Sequence, residues 1–352
     1  MTAIDYQSLA SRVVSGPGAL DQAPVLAADL GMSRAMVITT GSQAEAAARL
    51  MALLGPAGAL LFPRAVMHTP VEVTLGALKL AKAERIDGLI ALGGGSAIGL
   101  AKAIALRTDL PQIAIPTTYA GSEMTPVVGQ TEAGAKTTQR TPKVLPEAVI
   151  YDVELSLSLP VGVSVVSGFN AIAHGVEGLY SRAGNALLGA VAEDCVRLMA
   201  HALPRIAARP ADAEARARAL EGAWLGGWSL ANGGSALHHR LCHILGGAFG
   251  LPHAETHTVL IPHVLAYNAP VVPEAMERLR RALGVEDPAR ELFDLSRSLG
   301  APRSLAALGL PDDGPGAALN TLLADPPWNP RPLEREPLQD MMRRAWRGES
   351  PR

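Results

Sequence analysis

The alternation of short apolar runs with helical patterns in the first third of the chain is the feature that most restricts its fold. Four apolar runs occur there, Ala35–Thr39, Ala59–Phe62, Gly88–Leu92 and Ile113–Pro116. Helical patterns separate them, including Gln43–Leu54 and Val71–Arg85. Continuous apolar strands that alternate with helices predict a parallel sheet that is covered on both faces.

The pattern changes after about residue 155. One more strand ends near Asp152, and long helical patterns follow, such as Ala211–Leu230 and Ser235–Phe249. A Pro-rich connection over residues 325–332 precedes a short final helix. A chain of 352 residues is long enough for about two domains. We therefore predict an N-terminal α/β domain over residues 1–155 and an all-α domain over residues 156–352.

Composition and charge exclude several classes of protein. The formal net charge of -2 does not fit nucleic acid as the main partner, because phosphate binding needs concentrated Lys and Arg. The two cysteines, Cys195 and Cys242, form neither a disulfide framework nor a Cys-based zinc site. The N-terminal residues do not resemble a signal peptide, and no apolar run is long enough to span a bilayer. We expect a cytoplasmic protein without a membrane partner.

A glycine turn follows the apolar run that ends at Leu92. Glycine between a strand and a helix lets a ligand approach the backbone, and the helix N-terminus favours a phosphate. The usual dinucleotide spacing does not fit, because Ile98 stands at the third glycine position. A purely structural turn is the alternative. A second loop, Pro116–Glu123, follows the next strand and supplies hydroxyl groups at the same sheet edge. The candidate cofactor residues in these loops are Gly93, Gly94, Gly95, Ser96, Thr117, Thr118 and Ser122.

Histidines are concentrated in the helical half, where eight of the nine fall between His174 and His263. Asn170 and His174 are four residues apart, so they share one face of a helix. His243 and His253 follow, ten residues apart. A single helical histidine is more often a packed or surface residue than a ligand, but the group as a whole indicates a functional site.

Together these motifs resemble the ordered motifs of iron-dependent alcohol dehydrogenases, over about residues 16–270. The resemblance implies a dinucleotide domain followed by a helical domain, as in the dehydroquinate synthase-like architecture, and a divalent metal bound by one Asp and three His. When the family's ligands are placed on this sequence position by position, the resemblance implies that the three His ligands are His174, His243 and His253. The Asp site is Asn170, so the chain departs from the family at its only anionic ligand.

That departure and several short segments, such as Leu251–His257, resemble the maleylacetate reductase branch of the superfamily. The resemblance implies a homodimer that reduces the carbon–carbon double bond of a dicarboxylate, maleylacetate, to give 3-oxoadipate without a metal. Thr40 and Ser42 are neutral where NAD-specific members tend to carry an Asp, so we predict that NADH and NADPH are both used. Lys136 is expected near the cofactor from the resemblance alone.

Hydride addition to an enone leaves an enolate, whose oxyanion can be stabilised by hydrogen-bond donors. Imidazole suits both this task and the final proton transfer. We therefore assign catalysis to His243 and His253, with His174 and Tyr119 as further candidates. For the substrate carboxylates, the expected partners are Asn170, His239 and Arg240, although an Arg on a helix is more often simply solvated.

Three other functions remain open from the sequence. The chain resembles metal-dependent alcohol or aldehyde dehydrogenases of the same fold, and metal analysis separates these from a metal-free reductase. It also resembles 3-dehydroquinate synthase, a lyase that uses NAD without net oxidation or reduction. A non-catalytic binding protein that keeps the fold is the third alternative, and nucleotide binding without turnover would favour it.

Overall fold

The computed structural model describes residues 6–9, 11–132 and 135–352. Contacts between residues divide the chain into two compact units. The first unit is Gln7–Leu159, and the second contains Pro160–Arg352.

The first unit is built on a six-stranded parallel sheet with the strand order β1-β8-β5-β4-β2-β3. Its strands are β1 (Arg12–Ser15), β2 (Ala35–Ile38), β3 (Gly58–Phe62), β4 (Gly88–Gly93), β5 (Gln112–Pro116) and β8 (Ala148–Tyr151). The predicted parallel sheet is therefore confirmed, and the predicted strands agree to within about one residue at each end.

Four helices connect the strands of this sheet: α1 (Ala23–Asp29), α2 (Ala44–Leu54), α3 (Val71–Ala83) and α4 (Gly95–Thr108). One face of the sheet packs against α1 and α2 through fully buried side chains that include Leu26, Leu50 and Ile90. The central strand β4 is buried at every position, which explains why its sequence is a continuous apolar run.

An antiparallel hairpin in the first unit was not predicted from the sequence. It comprises β6 (Val127–Glu132) and β7 (Ala135–Arg140) and forms its own two-stranded sheet. Its alternating and largely polar residues lack the continuous apolar run that revealed the buried strands. The hairpin directly follows the second predicted cofactor loop.

The second unit is helical in the described residues, as predicted, and the α/β-plus-all-α fold class is confirmed. Its helices are α5 (Val161–Leu179), α6 (Ala186–Ala208), α7 (Ala213–Gly233), α8 (Leu237–Phe249), α9 (His253–Asn268), α10 (Pro273–Leu283), α11 (Pro288–Ser298), α12 (Gly314–Ala324) and α13 (Arg335–Arg347). Among the described residues, no helix combines the length and the apolar character needed to cross a bilayer.

Helix α5 carries much of the candidate site and is almost wholly buried. It packs closely on α6 and α7 because glycine stands at the points of contact. A Cβ atom on Gly175 would lie 2.9 Å from the carbonyl oxygen of Ala192, and one on Gly226 would lie 3.0 Å from that of Ala171. This packing fixes the position and rotation of α5, and so the direction of its polar side chains.

Candidate active site

The predicted glycine turn joins β4 to α4 and depends on glycine for two separate reasons. Gly93 has a φ of 143°, which residues with a side chain rarely adopt. A Cβ atom on Gly94 would lie 2.9 Å from Cγ2 of Thr118 in the neighbouring loop. The second loop therefore lies directly against the first, at the carboxyl ends of β4 and β5. Gly95 and Ser96 begin α4, whose N-terminal N–H groups suit a phosphate.

Buried Lys102, to which the sequence analysis gave no role, ties the second loop to α4. Its Nζ donates hydrogen bonds to the carbonyl oxygens of Ser122 at 2.5 Å, Thr125 at 2.6 Å and Val127 at 3.1 Å. It also donates to Oγ1 of Thr125 at 3.0 Å. Burial lowers the pKa of Lys102 to about 7, and the charge of Glu123 opposes this fall. The four oxygen acceptors around the amino group also favour its charged form. The sequence feature that could have revealed Lys102 is a lysine within the apolar face of a predicted helix.

Glu123 is the acid of this loop and is fully buried. The hydroxyl group of Tyr151 donates a 2.7 Å hydrogen bond to Oε1 of Glu123. Burial raises the pKa of Glu123 to about 7, while its hydrogen bond from Tyr151 and the charge of Lys102 oppose the rise. These three side chains hold the loop that carries Thr117, Thr118 and Ser122. The hydroxyl oxygen of Ser122 is buried without a hydrogen-bond partner among the described residues.

The other predicted cofactor residues follow β2, the strand next to β4. The hydroxyl groups of Thr40 and Ser42 lie 2.9 Å apart, and Thr40 is half-buried. Gln43 donates a long 3.5 Å hydrogen bond to the hydroxyl of Thr117, which links this segment to the loop after β5. The backbone of Lys136 lies in β7, but its side chain is outside the described part of the chain.

The second unit brings together six histidine rings, which we call the histidine cluster. Helix α5 supplies one ring, α8 supplies three, and the first two turns of α9 supply two. Neighbouring ring centroids lie 4.4 to 6.5 Å apart. The members are His174, His238, His239, His243, His253 and His257. Sequence reasoning chose four of these as site residues and gave no role to His238 and His257.

Accessibility divides the cluster into two parts. His243 and His253, the predicted catalytic pair, are half-buried, and their rings stack with centroids 5.9 Å apart. His253 is the first residue of α9, and the short turn through Gly250 brings it back beside α8. The other four rings are at most 4% exposed. Within the cluster, the predicted catalytic pair is thus the part that a substrate reaches most directly.

His174 lies beside His239 rather than beside the predicted pair. Their rings are stacked, with centroids 5.1 Å apart. The family motifs, matched position by position, grouped His174 with His243 and His253. His239 lies one helical turn before His243 on the same face of α8, and it is the ring that stacks on His174. The structure therefore adds His239 to the candidates for a metal-ligand position.

Glu177, which sequence reasoning missed, organises the buried part of the cluster. Its carboxylate accepts hydrogen bonds from the backbone N–H groups of Ala236 at 3.0 Å and His238 at 2.8 Å. It thereby caps the N-terminus of α8, where free N–H groups favour an anion. It also accepts a 2.5 Å hydrogen bond from Nδ1 of His239. The sequence feature that could have revealed Glu177 is its spacing, because it lies seven residues after Asn170 and so shares a face of α5 with it.

Burial controls the charge of the inner rings. Desolvation, followed by repulsion from neighbouring rings, lowers the pKa of His174, His238 and His257 well below the ordinary value. These three rings are therefore neutral near pH 7 and act as hydrogen-bonding groups rather than cations. His238 and His257 also share a 2.8 Å hydrogen bond between Nε2 and Nδ1.

The donor atoms of the cluster agree only in part with the metal site that the family resemblance implies. Nδ1 of His174, Nε2 of His239 and Nε2 of His257 are buried without hydrogen-bond partners among the described residues, and neutral imidazoles can bind zinc. Asn170, however, is a buried amide where an acid is expected, and Glu177 is engaged by α8. The acidic ligand of the family set is therefore missing, and the residues do not fit that set.

A second group of metal-ligating atoms lies deeper in the cluster. The ligand atoms of His238, Cys242 and His257 lie within 4.8 Å of one another, and all three residues are buried. Nε2 of His238 and Nδ1 of His257 already share a hydrogen bond, so a metal bound through these two atoms would have to replace it.

Two predicted site residues, Arg240 and Tyr119, have contacts or burial that limit the roles assigned to them. Arg240 forms a 2.6 Å ion pair with Asp325, and its side chain is 34% exposed. A substrate carboxylate would have to displace or share that partner. Tyr119 is fully buried in the structure. The roles assigned to both residues remain predictions.

Comparison with known proteins places this geometry in a family. A profile described as "Iron-containing alcohol dehydrogenase" matches residues 10–153. Residues 164–346 match "Fe-containing alcohol dehydrogenase family, C-terminal". The chain belongs to the iron-containing alcohol dehydrogenase family. This membership confirms the resemblance drawn from the motifs and identifies the chain as an oxidoreductase.

The resemblance to maleylacetate reductases is also confirmed within this family. The chain is 50% identical to a maleylacetate reductase of Sphingobium indicum over 98% of both chains. It is 48% identical to one of Burkholderia cepacia over the full length of both. The crystal structure of maleylacetate reductase from Rhizobium sp. strain MTP-10005 superimposes with a TM-score of 0.95 at 48% identity, again over the full length of both chains.

Proposed function

We propose that this enzyme is a maleylacetate reductase, which reduces the carbon–carbon double bond of maleylacetate to 3-oxoadipate with NADH or NADPH. The full-length similarity to reductases of that name, at 50% identity over 98% of both chains, carries the proposal. The histidine cluster supports it, because its groups suit the reduction of an enone.

The reaction requires a hydride, an oxyanion partner and a proton. A bound reduced nicotinamide would supply the hydride at the carbon β to the ketone, and the electron pair of the double bond would then form an enolate. Hydrogen-bond donors stabilise the enolate oxygen. Proton transfer to the α carbon then completes the product. We assign the donor roles to His243 and His253, the accessible pair of the cluster.

Glu177 fixes the orientation of His239, which lies beside this pair. A carboxylate only accepts hydrogen bonds when ionised, so Nδ1 of His239 carries a hydrogen and its Nε2 points away from Glu177. The ring of His239 lies 6.5 Å from that of His243 and 4.8 Å from that of His257. The pairing therefore fixes the orientation of one ring around which the others pack, as outer carboxylates do for functional histidines.

We further propose that the reduction proceeds without a metal. A metal would polarise a carbonyl as a Lewis acid. Asn170 brings only a dipole to a cation, and a dicarboxylate can be held by Arg and His side chains instead. In this proposal Asn170, His239 and Arg240 contact the substrate carboxylates. For Arg240 this requires release from Asp325.

For the nucleotide, the proposal uses only the loops of the first unit. The pyrophosphate binds at the glycine turn and the N-terminus of α4, where Gly94, Gly95 and Ser96 offer backbone N–H groups. Thr117, Thr118 and the buried hydroxyl of Ser122 supply donors from the adjacent loop. A homodimeric assembly and a cytoplasmic location remain expectations from the family resemblance.

The direct test follows the absorbance of NADH or NADPH with freshly prepared maleylacetate, and compares the untreated enzyme with one dialysed against a chelator. We expect stoichiometric oxidation of the nucleotide, far less than one metal per chain, and unchanged turnover after chelation. Turnover that disappears on chelation and returns with zinc or iron would refute the metal-free mechanism.

A metal-dependent alcohol dehydrogenase is the second candidate function. The three buried imidazole nitrogens without hydrogen-bond partners among the described residues favour it. Alcohol oxidation that depends on added metal, with no reduction of maleylacetate, would establish this alternative.

A further inference from the structure

We propose that a cavity between α9 and α13 is a binding site for a small dianion, either inorganic phosphate or a short dicarboxylate. The cavity is formed wholly within the second unit and is separate from the histidine cluster. His253 of that cluster and His263 of the cavity are ten residues apart on α9, which corresponds to about 15 Å along the helix. The inference does not depend on the proposed function.

The cavity has a volume of about 150 Å³. A water molecule occupies about 30 Å³ in the liquid, so this space holds about five waters or one small anion. The polar residues of its lining come from α9, from α13 and from the segments on either side of α13. They are His263, Tyr267, Arg331, Asp340, Arg344 and Arg352.

Positive charge dominates this lining, in which three arginines face one acid, Asp340. Neither Arg331 nor Arg352 forms an ion pair with a carboxylate of the described residues. A guanidinium group presents a planar fork of N–H donors that matches the oxygens of a phosphate or a carboxylate. The lining is therefore suited to an oxyanion.

Arg331 is held in place by α9. Its guanidinium group lies over the ring of Tyr267, 4.3 Å from the ring centroid, and its Nη1 donates a 2.6 Å hydrogen bond to the carbonyl oxygen of Tyr267. The hydroxyl group of Tyr267 donates a 2.5 Å hydrogen bond to the carbonyl oxygen of Pro332, which holds the adjoining backbone. Because Arg331 is already ordered, an anion that binds to it costs little side-chain entropy.

Arg344 is a largely buried cation with exposed partners. Its side chain is 15% exposed, and its Nε donates a 2.8 Å hydrogen bond to Asp340, whose side chain is 64% exposed. A longer contact of 3.4 Å joins it to Glu349, which also pairs with Arg347. Ion pairs with exposed acids contribute little, so Arg344 keeps most of its attraction for an anion in the cavity.

His263 gives the cavity a polar group that lacks a partner. The residue is 2% exposed, and its Nδ1 has no hydrogen-bond partner in the part of the chain that the structure describes. Burial, with a smaller contribution from the charge of Arg344, lowers the pKa of His263 to about 4, so the ring is neutral at pH 7. A neutral imidazole carries one N–H, which an anion oxygen can accept.

The cavity thus combines guanidinium groups, a neutral N–H donor and a small volume. A dianion with several oxygen acceptors satisfies all three features. Chloride carries a single charge and has no pair of oxygens for a guanidinium fork, so it should bind more weakly.

Calorimetric titration of the full-length protein near neutral pH tests the site with two probes, inorganic phosphate and adipate. Sodium chloride keeps the ionic strength constant. We expect Arg344→Gln to weaken the tighter probe about 10- to 100-fold, because it removes a charge-assisted hydrogen bond. Arg343→Gln removes the same charge from the neighbouring exposed position on α13, outside the lining, and should change the affinity less than about twofold.

A second variant tests the site by a gain of affinity. Asp340→Asn removes the acid that competes for Arg344, so the tighter probe should bind about threefold more tightly or better. Glu336→Gln, which alters an exposed acid of α13 outside the lining, is the control.

The relative affinity of the two probes identifies the ligand. Tighter phosphate assigns the site to a phosphate-type anion, and tighter adipate assigns it to a dicarboxylate. The site would be overturned if the wild type bound neither probe, or if Arg344→Gln and Arg343→Gln weakened binding equally.

Discussion

The Glu177 carboxylate accepts a hydrogen bond from Nδ1 of His239 across 2.5 Å, with both side chains at most 4% exposed. The same carboxylate caps α8 through the N–H groups of Ala236 and His238. One acid on α5 therefore determines both the start of α8 and the orientation of a ring within the histidine cluster.

Glu177→Gln tests this relationship. The amide has nearly the same shape, but one of its two terminal atoms is a donor rather than an acceptor, so one of these contacts is lost. We expect kcat for maleylacetate to fall about 10- to 100-fold, as for other outer partners of functional histidines, while the Kd of NADPH stays constant. Glu221→Gln, which alters a partly exposed acid on α7, is the control. Unchanged kcat would remove Glu177 from the mechanism.

His243→Ala and His253→Ala test the catalytic assignment. If these rings stabilise the enolate and deliver the proton, each variant should lose about 100-fold or more in kcat, with nucleotide binding retained. Exposed His201, whose Nδ1 lies 2.7 Å from the carbonyl oxygen of Arg197, serves as the control position for an alanine substitution. A loss of less than tenfold at both sites would show that the accessible pair is not catalytic.

Asn170→Asp restores the acidic ligand of the family. The new carboxylate adds a full negative charge beside neutral imidazoles, so zinc affinity should rise by at least about tenfold. A metal bound at this site would occupy the ring nitrogens of His243 and His253, which would then no longer be free to act on the substrate, so reductase activity should fall. Zinc titration followed by elemental analysis measures the first effect, and Asn170→Ser provides a neutral control. Equal zinc affinity in the wild type and in both variants would contradict this interpretation of Asn170.

Gly94→Ala tests the contact between the two cofactor loops. The added Cβ would lie 2.9 Å from Cγ2 of Thr118, so the second loop must shift. We expect the Kd of NADH and NADPH to rise about tenfold, because misplaced donors each lose part of a charge-assisted hydrogen bond. Gly76→Ala on α3, where a Cβ meets nothing within 4 Å, is the matched control. A nucleotide affinity equal to that of the control would exclude close contact as the reason for this glycine.

His263 makes stability depend on pH. Burial, with a smaller contribution from the charge of Arg344, lowers the pKa of His263 to about 4. Below pH 6.5 the unfolded chain binds a proton that the folded ring does not bind, so stability falls as the pH falls from 6.5 to 4. Between pH 7 and 5 this one group removes about 2 kcal/mol from the free energy of unfolding.

Urea unfolding of the wild type and His263→Gln at both pH values, at one protein concentration, measures this contribution. The glutamine variant should be less sensitive to acid by that amount. The exposed His201→Gln variant should follow the wild type. Parallel pH profiles for all three proteins would show that His263 does not titrate as described.

The buried strands were predictable because strands covered on both faces need continuous apolar runs. Ile90 and Ile113 are such residues, and the strand boundaries agree to within about one residue. The hairpin β6–β7 escaped prediction because its residues alternate and are largely polar. The local hydrophobic pattern of a sequence therefore reveals strands that are buried on both faces more readily than strands that pair in an exposed hairpin.

Part of the active site was predictable from spacing, and part was not. Spacing selected His243 and His253, whose rings the structure brings together, and their catalytic role stays a prediction. Spacing alone did not distinguish His239 from His243 as the neighbour of His174, because both lie on one face of α8. Glu177 and Lys102 act through partners that are 20 to 62 residues away in the chain. These partners are brought together by tertiary packing, and a local sequence pattern carries no information about contacts between distant parts of the chain.

The hydrogen bonds of Lys102 have a dynamic consequence for nucleotide binding. Since one amino group bridges α4 and the segment from Ser122 to Val127, this segment cannot open without losing several bonds at once. Amide hydrogens of the segment should therefore exchange slowly with solvent even when no nucleotide is bound. In the proposed nucleotide site, a loop that is already ordered loses little conformational entropy when its ligand binds, so it does not have to reorder between one nucleotide and the next.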